Sequence, residues 1–501
     1  MHTIRGRSAA HMLVCVVLLL ASTAAVPPTA ASPEDLRLAL SRFAASPEGT
    51  SLDIGVSFLP ADPRLEGDPR GGGSSVSHGA DRPLIPASVT KLVTTSAVLD
   101  RFGPRHTFDT RLSTTGRLVD GVLSGDLCVR GAGDPFLVTE RLWLLGHLLH
   151  QTGLREVRGR LVIDESQFAP EDEDPSRVMR EISDRPYAAR LTPLAINFNT
   201  IGIRVDPGKR AGDDPIVEVD PVATPYLRIE SGLRTVPAPA AAEWTLRLLP
   251  ASRGETDSLG TFEIASLTGG VEAGGAAQLE YRSAREPGEY SAGLLRAFLR
   301  ESGISIAGPT TFAATPPDAV LLLEFPSLPL EELVASANRY SNNFMADLLC
   351  MSLADSGATL SRGAEALREW VEATIAVDDA ITLYDGSGLD PRNRLTARLL
   401  ARVLQRMWGD LASGPALAAS LPAPGEDGTM RRRFGRDPIG SRIRAKTGTL
   451  GDARTSCLAG LLEADSGPVA FALLMNGRPG STWTISRMQD LQDEWIRLYL
   501  R

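Results

Sequence analysis

A serine stands three residues before a lysine in Pro86-Ala-Ser88-Val-Thr-Lys91, and that spacing can do nucleophilic chemistry. On a helix the two side chains share one face, a turn apart, with the serine at the N-terminal end where the dipole favours a developing negative charge. A nucleophilic serine needs a base within hydrogen-bond reach. No histidine follows His150 to supply one. A lysine whose proton is pushed off by burial or by a neighbouring cation can serve instead, whereas arginine keeps its proton at any useful pH. The distinction matters here because only three of the 52 cationic residues are lysines: Lys91, Lys209 and Lys446. Lys209, in a Pro-Gly-Lys-Arg turn, reads as a surface residue.

Lys446 opens Lys446-Thr447-Gly448-Thr449-Leu450 on an apparent strand. A glycine there lets a substrate backbone lie against the strand edge with no side chain in the way; the plainer alternative is a strand ending at a bend. Between the two lysines lies Asn338-Arg-Tyr-Ser341-Asn342-Asn343. Ser341 could relay a proton, and the Asn343 amide could orient a ligand or a lysine, although a lone Ser-x-Asn is commonly a helix cap or turn.

Taken together, Ser-x-x-Lys, Ser-x-Asn and Lys-Thr-Gly in this order are the active-site set of penicillin-binding proteins and serine β-lactamases. The chain resembles one family closely, the class C low-molecular-mass penicillin-binding proteins, which are D-alanyl-D-alanine carboxypeptidases and endopeptidases. The resemblance extends to Gly131-Ala-Gly-Asp134-Pro135, Asn197-Phe-Asn199, Asp385-Gly-Ser-Gly-Leu389 with Arg392 and Asn393, and Gly428-Thr-Met-Arg-Arg-Arg-Phe434. It includes a long insertion between the first and second motifs. These accessory segments are Gly- and Asp-rich turns and read mainly as architecture. Asn342 stands where an Asp is frequent, and Ala132 interrupts a Gly-rich turn; neither touches the chemistry.

The resemblance implies an α+β fold of the penicillin-binding and β-lactamase type, an antiparallel sheet flanked by helices, carrying an inserted mainly-β region. The expected layout is a signal peptide over 1–31, a discontinuous catalytic domain over 32–104 and 286–501, and the insertion over 105–285. Ser88, Lys91, Ser341 and Lys446 are the implied catalytic residues; Asn343, Thr447, Gly448 and Thr449 are the implied substrate-binding ones, with no cofactor and no metal. The implied activity is a serine-type D-Ala-D-Ala carboxypeptidase, extending to endopeptidase action. Its partners would be peptidoglycan stem peptides, with β-lactams as covalent inhibitors. The backbone N–H groups of Ser88 and Thr449 would form the oxyanion hole. Two rivals stand beside this reading. One is a serine β-lactamase, against which the insertion and the lack of a convincing Glu-bearing deacylation loop argue; the other is a non-catalytic wall-binding protein whose insertion does the work.

The elements that must position these residues follow from periodicity. Helices are expected over Pro33 to Ala45, from about Ser88 to Phe102 with a stop at Gly103-Pro104, over Val138 to Gly153, Leu294 to Glu301, Leu330 to Ala354, Ala364 to Ile375, and Thr484 to Leu500. Strands are expected at Leu52 to Leu59, Ile443 to Thr447 and Val469 to Met475. Between Arg105 and Arg285 short β-prone runs alternate with Gly, Pro and Asp turns. The Gly/Ser-rich stretch Gly67 to Ala80 lacks the Gly-Lys-Ser/Thr ending of a phosphate loop and reads as a linker. The final helix reads as packing on a sheet in preference to lying on a membrane.

Length, 501 residues, and 43% hydrophobic composition suit two to four domains with sizeable cores. A net charge of −9 argues against nucleic-acid binding, and the one dense basic run, Arg431 to Arg433, reads as a solvated face. Arg5 and Arg7, an apolar core from Met12 to Ala21 and small residues near Ala24 or Ala31 read as a secretory leader, so the protein is expected to be exported, to the periplasm or to the extracellular side of the cell envelope, with membrane association at most peripheral. Without the leader three cysteines remain, Cys128, Cys350 and Cys457, with no Cys-x-x-Cys spacing, which disfavours a zinc site or a disulfide framework and leaves open one bridge with one free thiol. His147 and His150 read as helix surface or packing, since no acidic partner accompanies them.

Overall fold

Residues Val469 to Met475 are apolar without alternation, the pattern of a strand covered on both faces. In the computed structural model of the chain, which describes residues 33–66, 75–169, 184–238, 243–251, 262–355, 357–375, 381–426, 428–435 and 437–500, this strand is the centre of a five-stranded antiparallel sheet. The expected leader lies outside the described residues, as does much of the Gly/Ser-rich loop.

The sheet order is Ile443–Leu450, Thr455–Ala464, Gly467–Gly477, Leu52–Pro60, Val76–His78. Among the described residues the first and last strands in sequence thus pair with each other inside the sheet, Leu52–Pro60 on Gly467–Gly477. Side-chain alternation sorts the two faces. Cys457, Ala459, Ala470, Ala472 and Leu474 face a core with the helices Thr90–Phe102 and Ala397–Trp408. Leu458, Phe471, Leu473 and Met475 face Leu36, Leu40, Trp495 and Ile496 of the two terminal helices, Pro33–Ala45 and Ile485–Leu500. The final helix is therefore sheet packing. Ile443–Leu450 is left at the sheet's edge.

The helical run expected from Leu330 to Ala354 is two helices, Leu330–Arg339 and Asn343–Met351. Ser341, at φ +56°, breaks it, and Asn342 restarts it by accepting the Met345 N–H with its side chain. The strand Thr455–Ala464 and the strongly amphipathic helix Ala397–Trp408 were not expected.

A second core links Leu112, Val129, Leu145, Ile163, Ile203, Leu267, Leu299 and Phe325. Around it lie four small sheets and the helices Thr139–Gln151 and Pro287–Glu301. Strands Thr310–Phe312 and Val320–Phe325 pair with Leu161–Asp164 and Thr110–Thr114, so this core reaches well past Arg285. The region of expected β-prone runs does hold short strands, among them Thr110–Thr114, Leu127–Arg130, Leu161–Asp164, Thr200–Asp206, Ile216–Asp220, Trp244–Pro250 and Glu263–Glu272. With helices and mainly antiparallel sheets in separate blocks, the fold is α+β.

Arg431 and Arg432 are exposed, but Arg433 is not part of a solvated face. It is buried at 7% exposure and its Nε donates to Asp493 on the final helix at 3.0 Å, tying the Gly428–Phe434 segment to that helix. Cys128, Cys350 and Cys457 are all buried and free. His147 stacks on Trp143.

Candidate active site

The chain reaches Ser88 along a segment fixed to the sheet. Asn476 accepts the Ile85 N–H at 2.7 Å and donates to the Ile85 carbonyl at 3.1 Å. Ala87 then adopts φ +47°, an uncommon conformation for a residue with a side chain. A 3-10 turn over Ala87–Val89 carries Ser88 into the helix Thr90–Phe102, two residues later than the expected start. The result is the expected juxtaposition: Lys91 Nζ is 3.1 Å from Ser88 Oγ.

Lys91 also donates to Asn343 Oδ1 at 2.7 Å and to the Ser387 carbonyl at 2.7 Å. Its side chain is fully buried, while Ser88 is half-buried. Of these neighbours, the Asn343 and Ser387 oxygens can only accept, and the Ser88 hydroxyl can also donate. A neutral amine has two N–H groups and one lone pair, so it can satisfy both carbonyls and turn the lone pair toward the Ser88 hydroxyl.

Lys446 is fully buried too, and donates to Ser341 Oγ at 2.8 Å and to the Thr447 carbonyl at 2.7 Å. Burial, with the charge of Lys91 added, holds its amine well below the ordinary lysine range. The left-handed Ser341 backbone is what projects that hydroxyl between the two helices toward the edge strand.

On that strand Gly448 is pressed against the Ser88 turn. A Cβ there would lie 2.8 Å from the Pro86 carbonyl and 3.1 Å from the Ser88 nitrogen, so only glycine permits the approach. The Ala445 N–H leaves the sheet edge to donate to the Pro422 carbonyl at 3.1 Å. By the two-residue alternation of a strand, the N–H groups of Thr447 and Thr449 face the same outer side. All eight expected site residues therefore converge on one place: Ser88 and Lys91 on one element, Ser341 and Asn343 on a second, and Lys446 to Thr449 on a third.

A cleft of about 570 Å³ runs from Ser341 and Asn343 to Glu140, Tyr187, Asp220 and Tyr281 of the second core's elements; no lysine or arginine lines it among the described residues. Asn197, Phe198 and Asn199 all have positive φ, and this turn rests the Phe198 ring edge-on against Phe344, next to Asn343. What motif reading did not supply is the Ser387 carbonyl. The signal was present in Asp385-Gly-Ser-Gly, but a main-chain contact leaves no side-chain signature.

The comparisons with known proteins agree with this arrangement. The family model described as "D-Ala-D-Ala carboxypeptidase 3 (S13) family" matches residues 68–497. A D-alanyl-D-alanine carboxypeptidase of Actinomadura sp. is 29% identical over 468 residues, covering 86% of this chain and 82% of that protein. The D-alanyl-D-alanine carboxypeptidase DacB of Haemophilus influenzae is 25% identical over 410 residues, covering 79% and 81%. The crystal structure of penicillin binding protein 4 from the same organism superposes with a TM-score of 0.71 at 22% identity, covering 92% of this chain and 97% of that one, and so shares the fold. With the family model spanning most of its length, the chain belongs to the D-Ala-D-Ala carboxypeptidase 3 (S13) family.

Proposed function

We propose that the protein is a serine D-Ala-D-Ala carboxypeptidase acting on peptidoglycan stem peptides and acylated by β-lactams. The observation that carries the reading is the sealed Lys91 amine 3.1 Å from Ser88 Oγ, with both its carbonyl partners in place. Lys91 in its neutral form takes the Ser88 proton as Oγ attacks the carbonyl between the two terminal D-alanines. The Ser88 and Thr449 N–H groups receive the oxyanion, one such donor being typically worth about 3 kcal/mol of barrier. Ser341, bonded to Lys446, passes its hydroxyl proton to the leaving nitrogen and takes in its place the proton that Lys91 removed from Ser88, so Lys91 is neutral again as D-alanine departs. Water then attacks the acyl-enzyme and restores Ser88.

Lys446 and Thr447 hold the substrate's terminal carboxylate. Lys91 occupies Asn343 Oδ1, which leaves the Asn343 amide N–H groups for the acyl-side carbonyl. Gly448 keeps the strand edge clear for the peptide. The acyl side extends into the cleft toward Glu140 and Asp220, whose two carboxylates suit an amine on the peptide. Endopeptidase action on cross-links is the same chemistry with a larger leaving amine. The inserted unit is drawn at 105–325, a boundary supported by the pairing of Thr310–Phe312 and Val320–Phe325 with its strands. Export to the cell envelope is supported by the expected leader over 1–31 and by the substrate.

The test is to incubate the enzyme with a pentapeptide ending in D-Ala-D-Ala and, separately, with nitrocefin. Steady release of D-alanine with slow or single-turnover nitrocefin opening is expected. Fast nitrocefin turnover without D-alanine release would make the protein a β-lactamase instead.

A further inference from the structure

The Ser387 carbonyl on Lys91 belongs to a turn that has no role in the mechanism so far. Its geometry is set by Asp385, which is buried at 1% exposure. Asp385 Oδ1 accepts the Gly388 N–H at 2.7 Å and Asn393 Nδ2 at 2.7 Å; Oδ2 accepts the Asp390 N–H at 2.8 Å and the Ser387 hydroxyl at 3.3 Å. Four donors on one carboxylate match an ionised, acceptor-only group.

The turn is also wedged between the elements that carry the chemistry. Gly388, at φ +79°, lies so close to the Ala87 carbonyl that any Cβ would collide with it. A Cβ on Gly386 would collide with Cys350, on the helix that begins at Asn343. Thr94, one turn beyond Lys91, donates its hydroxyl to the Gly386 carbonyl at 2.7 Å, and Asp347 accepts the Gly386 N–H at 3.0 Å. The turn from Asp385 to Gly388 thus holds the Ser88 turn and the Asn343 helix in register.

We propose that Asp385 is a positioning residue for acylation: by holding the Ser387 carbonyl on Lys91 it occupies one amine N–H and turns the lone pair toward Ser88. The inference rests on the proposed acylation of Ser88. The charged or titratable groups around the turn are Lys91 from its own helix, Asp347 and Cys350 from the Asn343 helix, and Asp390 and Arg392 from the same segment.

Asp385→Asn keeps the shape but can accept on one side only and presents an NH2 group to the other pair of donors. Thr94→Val removes the Gly386 hydrogen bond while leaving the carboxylate untouched. The experiment is stopped-flow acylation by a chromogenic β-lactam across pH, separating the dissociation constant of the first complex from the acylation rate constant. Because general-base catalysis typically contributes 10²–10⁴-fold, Asp385→Asn is expected to slow acylation by about 30-fold or more. Its dissociation constant should stay within about threefold, since the turn does not line the cleft beside Ser341 and Asn343. The acidic limb of its pH profile should move to lower pH, because a buried negative charge favouring the Lys91 ammonium is gone. Thr94→Val should slow acylation by about 3- to 10-fold with the limb unmoved. A wild-type acylation constant in Asp385→Asn, a loss confined to the dissociation constant, or an unmoved acidic limb overturns the inference. If Asp385→Asn does not fold, Thr94→Val decides: a wild-type constant overturns it. Failure of the wild-type enzyme to acylate would strike the reading of Ser88 itself, whereas normal wild-type acylation with an unaltered Asp385→Asn would strike the positioning role alone.

Discussion

Lys91 and Lys446 are buried to 0% exposure in a chain whose other cations are almost all arginines. Burying an ammonium group is expensive unless its donors are satisfied, and a lysine can escape the expense by giving up its proton where an arginine cannot. Each lysine has main-chain and side-chain oxygens within 3.1 Å, and each touches a serine hydroxyl, Ser88 for one and Ser341 for the other. In the proposed mechanism the two pairs divide the work of one proton: Lys91 removes it from Ser88, and Ser341 with Lys446 returns it to the leaving amine. Lys91→Arg keeps the charge and loses the base. It should lower β-lactam acylation by about 10³-fold or more, in line with the loss of a nucleophile's base, as measured by the rate of adduct formation on folded protein. Acylation at the wild-type rate would reject lysine as the base.

At the scale of elements, the site depends on three close approaches: two rest on a positive-φ backbone, at Ala87 before Ser88 and at Ser341 between two helices, and the third on the missing side chain of Gly448 in the edge strand. Gly448→Ala would put a methyl group 2.8 Å from the Pro86 carbonyl. The strand must then retreat from the Ser88 turn and carry the Thr449 N–H away from the oxyanion. Acylation should fall by about 10²- to 10³-fold, while the melting temperature changes little because the edge strand keeps its pairing with Thr455–Ala464. An unchanged rate would mean that the strand edge does not contribute to the transition state. Ser88, Lys91, Ser341, Asn343 and the Lys446 strand were legible in the sequence because their chemistry resides in side chains at fixed spacing. The Asp385 turn was legible only as architecture, since its contact with Lys91 is a carbonyl. The break at Ser341 was hidden inside a continuous helical pattern. The burial of Arg433 was hidden by its two exposed neighbours, because a charge run carries no record of an acid 60 residues further along the chain.

At the scale of the whole molecule, two cores meet beside the Asn343 helix, and the Gly131–Pro135 turn lies at that seam, facing Leu348 and Met351 across a cleft of about 310 Å³. Asp134 in this turn is buried; its Oδ1 accepts the Phe136 N–H at 2.8 Å, and burial lifts its carboxyl to about 6. The neutral form is thus favoured by folding. Its contribution to stability is complete below the unfolded value of 3.8 and is lost as pH rises through about 6. Asp134→Asn should therefore stabilise the protein at pH 7 by up to about 3 kcal/mol, with the difference closing near pH 4; denaturant titrations at the two pH values check this, and equal stability at pH 7 would refute it. The catalytic account of the molecule rests on Ser88 becoming acylated. Intact-protein mass after exposure to benzylpenicillin tests that most directly: the account predicts one penicilloyl adduct on the wild-type chain and none on Ser88→Ala. No adduct on the wild type, or an adduct that survives Ser88→Ala, would contradict it.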